Sequence, residues 1–483
     1  MRELTIPFHE TAPLYEQIYE YIKAQILEEK LLAGTRLPST RKLAEHLGVS
    51  RSTTQLAYDQ LVAEGYLQSE PCRGYFVSKL ETLFHMETKS GQIQKQKIEK
   101  KEPWLVDFSP RGIDLERFPY ALWRRLSRES LNDDNRELFS TGEHKGDECL
   151  RQAVCTYLYG ARGVFCRPEQ LIIGAGNEYL LMLLHQLLGN QIIAMETPTY
   201  RQAFLTFKRL GNQVIPVEMD ENGMKAEALA HSGAGMAYVM PSHQFPMGIV
   251  MPIRRRMELL AWAAEAEGRY LIEDDYDSEF RYKGKPIPSL QSADVKGRVI
   301  YLGTFSRAVA PAIRVSYMML PESLLARYEK NCSFYASTVS RIDQRILARF
   351  IDEGHYERHL NRMRGVYKAK HDALLAALSP LSGKYVICGA YAGIHILLES
   401  RQGQREQDMV QAAEAAGIRV YGLSEFAIEK EETDRAEKKT ETEENKEEEK
   451  TKMRSGTILL GYANLKREEI EQGARLLVAA LLA

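Results

Sequence analysis

Between Leu171 and Leu320 the chain switches repeatedly between two hydrophobic periodicities. Short apolar runs stand at 171–173, 192–195, 214–217, 236–240, 270–272, 299–302 and 317–320. Longer amphipathic stretches, among them 178–188 and 253–267, fall between them. An unbroken apolar run of three to five residues suits a strand covered on both faces, and helices between such strands supply the crossovers of a parallel sheet. The expected fold class is therefore α/β, a mainly parallel sheet with helices on both sides. Ligands of such sheets sit beyond the carboxyl ends of the strands. The residues just after each run are where chemistry is to be sought.

A chain of 483 residues has room for about three domains. Hydrophobic residues make up 44% and charged residues 27%, which excludes a wholly disordered chain, a collagen and a small disulfide scaffold. The longest apolar run, 476–483, is far below the roughly 20 residues of a membrane span. The opening Met-Arg-Glu-Leu-Thr-Ile-Pro has no apolar h-region, so no membrane or secretory role is expected. Cysteines 72, 149, 155, 166, 332 and 388 form no C-x-x-C pair, and read as free thiols of a cytoplasmic protein. Net charge is −2, and residues 1–78, with 8 basic against 10 acidic side chains, also give −2. Any nucleic-acid binding must rest on a local motif and not on bulk charge.

Two composition shifts divide the chain. Residues 79–103 are Lys-, Glu- and Gln-rich and read as a flexible linker between a domain at 1–78 and another at 104–483. From 429 to 454, 19 of 26 residues are charged, 11 acidic and 8 basic. Such a stretch cannot bury enough surface to offset chain entropy, so 428–455 is expected to be a disordered loop, with an isolated charged helix as the alternative.

Residues 13–78 hold closely spaced helix signals. Apolar residues at 14, 18, 22 and 26 mark a first helix. In Leu37-Pro-Ser-Thr-Arg-Lys-Leu-Ala-Glu-His-Leu-Gly48, Ser39 is the cap of a second helix and Gly48 its stop. Ser50 caps a third that ends at Gly65, and strands at 66–68 and 75–77 flank a turn at Pro71-Cys-Arg-Gly74. Helix, short helix, turn, recognition helix and β-wing describe a winged helix-turn-helix. Arg36, Arg41, Lys42 and Arg51 against Glu45 give the segment 36–51 a local charge of +3. Ser50, Arg51, Thr53 and Thr54 open the third helix and are expected to face the groove. This segment resembles the DNA-binding domain of GntR-type regulators through Leu37-Pro-Ser-Thr-Arg41, Leu47-Gly-Val-Ser-Arg51, Ala63-Glu-Gly-Tyr-Leu67 and Gly74-Tyr-Phe-Val77. The resemblance implies that Arg41, Arg51, Thr53, Arg73 and Gly74 meet operator DNA, and Arg36 and Ser39 are expected to bind DNA with them.

Polar groups collect after the apolar runs of the larger part: Gly174-Ala-Gly176-Asn177-Glu178, Pro241-Ser-His-Gln-Phe-Pro246, Glu273-Asp274-Asp275-Tyr276, Gly303-Thr-Phe-Ser-Arg307 and Arg314. Glycines before a helix suit a phosphate, although a plain strand-to-helix turn has the same pattern. A carboxylate at a strand end suits a protonated ring nitrogen. Together with Pro198-Thr-Tyr200 and Leu460-Gly-Tyr-Ala-Asn-Leu465, these motifs resemble a fold-type-I, pyridoxal-phosphate aminotransferase with large and small subdomains. Joined to the N-terminal module, the chain is similar to MocR/GabR-type regulators, which form dimers. The resemblance implies Asp274 on the pyridine nitrogen, Tyr276 and Gln244 on the 3′-oxygen, and Tyr200 against the ring. It places Gly176, Asn177, Thr304, Ser306 and Arg314 at the phosphate.

One position departs from that pattern. The related enzymes read Gly-Thr-Phe-Ser-Lys, and the lysine forms the Schiff base with the cofactor. Here the residue is Arg307, whose delocalised, permanently protonated guanidinium is a poor amine nucleophile. Lys283, Lys285 and Lys296 match no cofactor lysine. Leu459 stands where a substrate-clamping arginine is common, and Arg419 and Arg454 have no assigned place. The expectation is a DNA-binding regulator that senses pyridoxal phosphate, its amino-acid adduct or an amino compound without catalysis. A working aminotransferase carrying a DNA-binding module, and a regulator whose large domain is only a scaffold, are the alternatives. His355-Tyr-Glu-Arg-His359 lacks the glutamate of H-E-x-x-H and reads as a surface helix, and Cys332 and Cys388 read as buried thiols.

Overall fold

A computed structural model describes residues 6–9, 12–71, 73–79, 104–282, 287–428 and 456–483. Cys72, the linker from 80 to 103, Lys283, Lys285, the charged segment 429–454 and Arg454 lie outside the described residues. The chain divides into two compact units, Met1–Lys101 and Glu102–Ala483.

The first unit is built from α1 (Leu14–Leu27), α2 (Thr40–Leu47), α3 (Arg51–Ala63), β1 (Leu67–Glu70) and β2 (Gly74–Val77). The caps follow the sequence. Ser39 Oγ accepts from Lys42 N at 3.3 Å, and Ser50 Oγ accepts from Thr53 N at 3.1 Å. Gly48 ends α2 at φ 65°, a left-handed conformation that side chains resist. Ile18, Ile22, Leu43, Ala57, Tyr58 and Leu61 form the core between the helices. β1 and β2 pair antiparallel, Leu67 opposite Val77 and Glu70 opposite Gly74, as the wing.

The second unit is organised on a seven-stranded sheet: β3 (Leu171–Gly174), β4 (Ile192–Glu196), β5 (Gln213–Val217), β6 (Met236–Val239), β7 (Tyr270–Asp275), β8 (Val299–Thr304) and β9 (Ser316–Met319). All seven apolar runs are strands of this one sheet. Its order is β3-β9-β8-β7-β6-β4-β5, and β9 alone runs antiparallel to its neighbours. Residues of β7 are buried throughout because helices cover both faces. Ile272 packs with Leu180 and Leu184 of α4 (Asn177–Leu188) on one face, while Leu271 packs with Leu259 and Trp262 of the helix Ile253–Ala264 on the other.

A smaller antiparallel sheet follows, from β10 (Tyr385–Cys388), β11 (His395–Ser400), β12 (Tyr421–Gly422) and β13 (Thr457–Gly461), in the order β10-β11-β13-β12. The helices His355–Leu378, Glu406–Ala415 and Arg467–Leu482 enclose its core of Ile396, Leu398, Ile458, Leu460 and Leu477. No helix among the described residues is long and apolar enough to cross a membrane.

Candidate functional site

The period of two along β7 sorts three consecutive carboxylates into different surroundings. Asp274 shares the face of Ile272 and is 3% exposed. Asn177 Nδ2 donates to both its oxygens at 3.3 Å, and Tyr238 of the neighbouring strand donates to Oδ2. Burial holds the Asp274 carboxyl up at about 7 against an ordinary 3.8. Glu273 and Asp275 take the opposite face. Glu273 accepts from Leu290 N at 2.7 Å and Gln291 N at 2.8 Å. Asp275 is buried against Arg162, Nε to Oδ2 at 2.7 Å, and accepts from Tyr301. Asp274 thus remains as the carboxylate aimed at the cavity, and the other two are scaffold.

That cavity opens where the carboxyl ends of β3, β7 and β8 converge. Gly176, Asn177, Tyr200, Asp274, Tyr276, Thr304, Ser306, Arg307 and Arg314 all line it. Gly176 has φ 98°, and a Cβ there would stand 2.2 Å from Arg314 Nη2. Only a residue without a side chain lets the Arg314 guanidinium lie this close over the head of α4. Arg314 Nη2 donates to Ala175 O at 3.2 Å and to Glu178 Oε2 at 3.0 Å. Ser316 Oγ lies 2.9 Å from Thr304 Oγ1, which accepts from Ser306 N at 3.2 Å. Arg307 Nη1 donates to Pro110 O at 3.0 Å. Burial raises the Tyr200 phenol to about 12 and the Tyr276 phenol well above its ordinary value.

The structure corrects several sequence expectations. Gln244 does not line the cavity. Its Nε2 donates to Pro198 O at 2.8 Å and its Oε1 accepts from Met247 N at 3.0 Å, so its amide braces a loop. Phe245, Met240, Glu178 and Ser316 also line the cavity; Glu178 and Phe245 stand in the quoted motifs without an assigned contact, and Met240 and Ser316 lie outside them. The burial of Phe245 beside Gln244 depends on how the 241–248 loop folds, which periodicity does not encode. In the same loop His243 Nδ1 stands 2.9 Å from Asp277 Oδ2 and 3.0 Å from Tyr276 Oη, and Ser242 Oγ accepts from Arg162. Leu459 is buried in β13. Arg419 pairs with Asp107 at 3.6 Å, and is not on the cavity wall. Lys296 is exposed. His359 is not on a surface face: it is buried, with Nε2 3.0 Å from Ala308 O. Cys332 is buried but Cys388 only half-buried, and the Cys155 and Cys166 sulfurs approach to 3.2 Å.

In the first unit Arg36, Ser39, Arg41, Ser50, Arg51 and Arg73 are exposed, and Thr53 and Gly74 are half-buried. Gly74 has φ 110°, and a Cβ there would lie 3.5 Å from Arg36 Nε, so the wing tip and Arg36 are neighbours. Arg73 pairs with Glu70 and lies over the Phe76 ring at 5.5 Å. Thr54 is corrected. It is fully buried, with Oγ1 donating to Thr40 O at 2.9 Å and Arg51 O at 3.0 Å. It locks α3 to α2, because its position falls on the same helical face as Ala57, Tyr58 and Leu61. Ser39 and Ser50 likewise spend their hydroxyls as helix caps.

A winged helix-turn-helix followed by an aminotransferase-like α/β domain defines a class of transcription regulators. The model of bacterial regulatory proteins of the gntR family matches residues 14–77. The chain is 38% identical over 471 residues to the uncharacterized HTH-type transcriptional regulator YhdI of Bacillus subtilis (strain 168), covering 97% of this chain and 96% of the relative. It is 32% identical over 428 residues to the probable rhizopine catabolism regulatory protein MocR of Rhizobium meliloti, covering 85% of this chain and 87% of that protein. In fold it is similar to an archaeal alanine:glyoxylate aminotransferase, with TM-score 0.67 and 23% identity over 79% of this chain and 91% of the enzyme. The chain belongs to the MocR-type regulators of the GntR family.

Proposed function

We propose that the protein is a cytoplasmic, dimeric regulator that binds operator DNA through residues 1–78. Residues 104–483 then sense a small effector without turning it over, and residues 79–103 connect the two. The effector class is pyridoxal phosphate, its adduct with an amino acid, or an amino compound. One observation carries the reading: a buried carboxylate, aromatic walls and an anion cradle line one cavity, while the position that should offer an amine carries the Arg307 guanidinium.

The residues present fit pyridoxal phosphate held without a covalent link. Asp274 is a buried carboxyl with no basic side chain among its hydrogen-bond partners, and Asn177 Oδ1 is buried without a hydrogen-bond partner. Both suit a ligand that brings a cationic ring nitrogen and further donors. When bound, the group supplies that nitrogen, a phenolic oxygen, an aldehyde and a phosphate. Asp274 would hold the ring nitrogen, Tyr276 the phenolic oxygen and Tyr200 the ring face. The head of α4 with Thr304, Ser306 and Arg314 would hold the phosphate, Arg314 exchanging Glu178 for the ligand. Arg307 cannot serve as the amine or as a proton shuttle at neutral pH, but its fork suits a carboxylate or phosphate.

The test is an absorption titration of the full-length protein with pyridoxal phosphate, alongside Arg307→Lys. Saturable binding by both, with a long-wavelength band only in the lysine variant, is the expected result. The band in the parent protein would instead favour the aminotransferase reading, and no response from either would remove the cofactor from the proposal.

A further inference from the structure

We infer that Leu56 is a specificity-determining residue of the DNA-binding unit, and that it reads the 5-methyl group of a thymine in the major groove. The inference rests on the proposed operator binding and adds to it the chemistry of one base contact. It starts from the geometry of α3. Thr54, Ala57, Tyr58 and Leu61 face the core. At 100° per residue the centre of the opposite face falls between Ser52, Leu56 and Asp59. Leu56 is 53% exposed there, whereas the other α3 side chains larger than alanine that are apolar, Tyr58, Leu61 and Val62, pack against the core.

A singly exposed leucine is ordinary on a protein surface. This one occupies the middle of the face that a recognition helix turns to DNA, between Ser52 and the exposed carboxylate Asp59, with the cations gathered nearer the head of the helix. Arg51 and Ser52 stand at the head of the helix, Lys42 and Arg41, the latter paired with Glu45 at 3.1 Å, are exposed on α2, and Arg36 is exposed beside the wing tip. Beside Leu56, Gln55 Nε2 donates to Asp59 Oδ1 at 2.7 Å and to Tyr75 Oη of the wing at 3.2 Å. That bridge fixes the reading face against the wing, so Leu56 is presented by a braced helix. In the major groove the thymine methyl is the apolar group that base edges offer, and cytosine lacks it. Charge complementarity commits the occupant of this face to a duplex, and the leucine's chemistry picks the thymine.

The test uses full-length protein and a duplex that it enriches from a randomised pool. Each thymine of that duplex is replaced in turn by deoxyuridine, which removes only the methyl. One position per half-site is expected to bind about fourfold more weakly, the factor that one buried methyl confers. Leu56→Ala should bind the parent duplex more weakly by at least that factor and no longer distinguish thymine from deoxyuridine at that position. Because Leu56 lies outside the core, this variant should retain the parent's circular dichroism and melting temperature. Full discrimination by Leu56→Ala, or none by the parent at any thymine, overturns the methyl contact while leaving DNA binding standing. Failure of the parent to enrich any duplex overturns the operator-binding reading, and this inference falls with it.

Discussion

Asp274→Asn should make the large unit more stable while weakening the proposed binding of pyridoxal phosphate. The Asp274 carboxyl titrates at about 7 against an ordinary 3.8, chiefly because it is removed from water. At about 1.4 kcal/mol per tenfold, that rise corresponds to about 4 kcal/mol of disfavoured ionisation. The sign follows from linkage. Folding favours the protonated form, so the protonated group's contribution is fully present below about pH 4 and is lost as pH rises through about 7. An asparagine stays neutral throughout. Tyr238 can donate to its carbonyl, and Asn177 Oδ1, buried without a hydrogen-bond partner, can accept from its amide once the Asn177 side chain turns. Reorienting that pair leaves an expected gain of about 2–4 kcal/mol at pH 8. At about 2.1 cal/mol/K per residue, a unit the length of Glu102–Ala483 has an unfolding entropy of about 0.8 kcal/mol/K, so the melting temperature should rise by about 3–5 °C. The assay is thermal unfolding of parent and variant without added cofactor at pH 5 and pH 8. The difference should be largest at pH 8 and shrink toward pH 5, and buried acids common to both proteins cancel. In the pyridoxal phosphate titration the same variant should bind at least tenfold more weakly, having lost the anion. A variant that melts below the parent at pH 8, or a difference equal at both pH values, would refute the reasoning.

Four further outcomes test the two units separately. Arg51→Ala should weaken operator binding by about 1–3 kcal/mol in a gel-shift titration and leave the cofactor titration unchanged, while equal loss of both would contradict the modular reading. Thr54→Val leaves Thr40 O without its 2.9 Å partner. It should therefore cost the first unit about 1–2 kcal/mol in urea unfolding, with DNA affinity intact in the absence of urea. Arg162→Met strands the Asp275 carboxylate in the core, and a loss of about 3–5 kcal/mol should appear as a lower melting temperature. Gly176→Ala must accommodate a Cβ 2.2 Å from Arg314 Nη2, so pyridoxal phosphate should bind at least tenfold more weakly by absorption titration while Arg51-dependent DNA binding is kept.

Much of this protein was legible in its sequence because the signals are local. Ser39, Gly48, Ser50 and Gly65 punctuate helices through hydrogen bonds and dihedral preferences that span a few residues. The seven apolar runs announce strands because each is buried on both faces, and the cavity residues lie just after the strands, where this class of sheet places its ligands. Arg307 is legible as a departure because a guanidinium differs from an amine wherever it stands. What depended on tertiary structure is direction. Thr54 and Leu56 are two residues apart on one helix, and packing against α1 and α2 decided that the first is a lock and the second an exposed contact. Glu273, Asp274 and Asp275 are three adjacent acids, and only the partners on each face of the sheet separate the cavity-facing carboxylate from two structural ones. Phe245 lines the cavity and Gln244 does not, because the Gln244 amide is held by Pro198 O and Met247 N in the 241–248 loop. Chain-local chemistry determines which elements form and where they end. Which side chain of an element meets solvent, core or ligand is fixed by long-range packing, which no run of neighbouring residues contains.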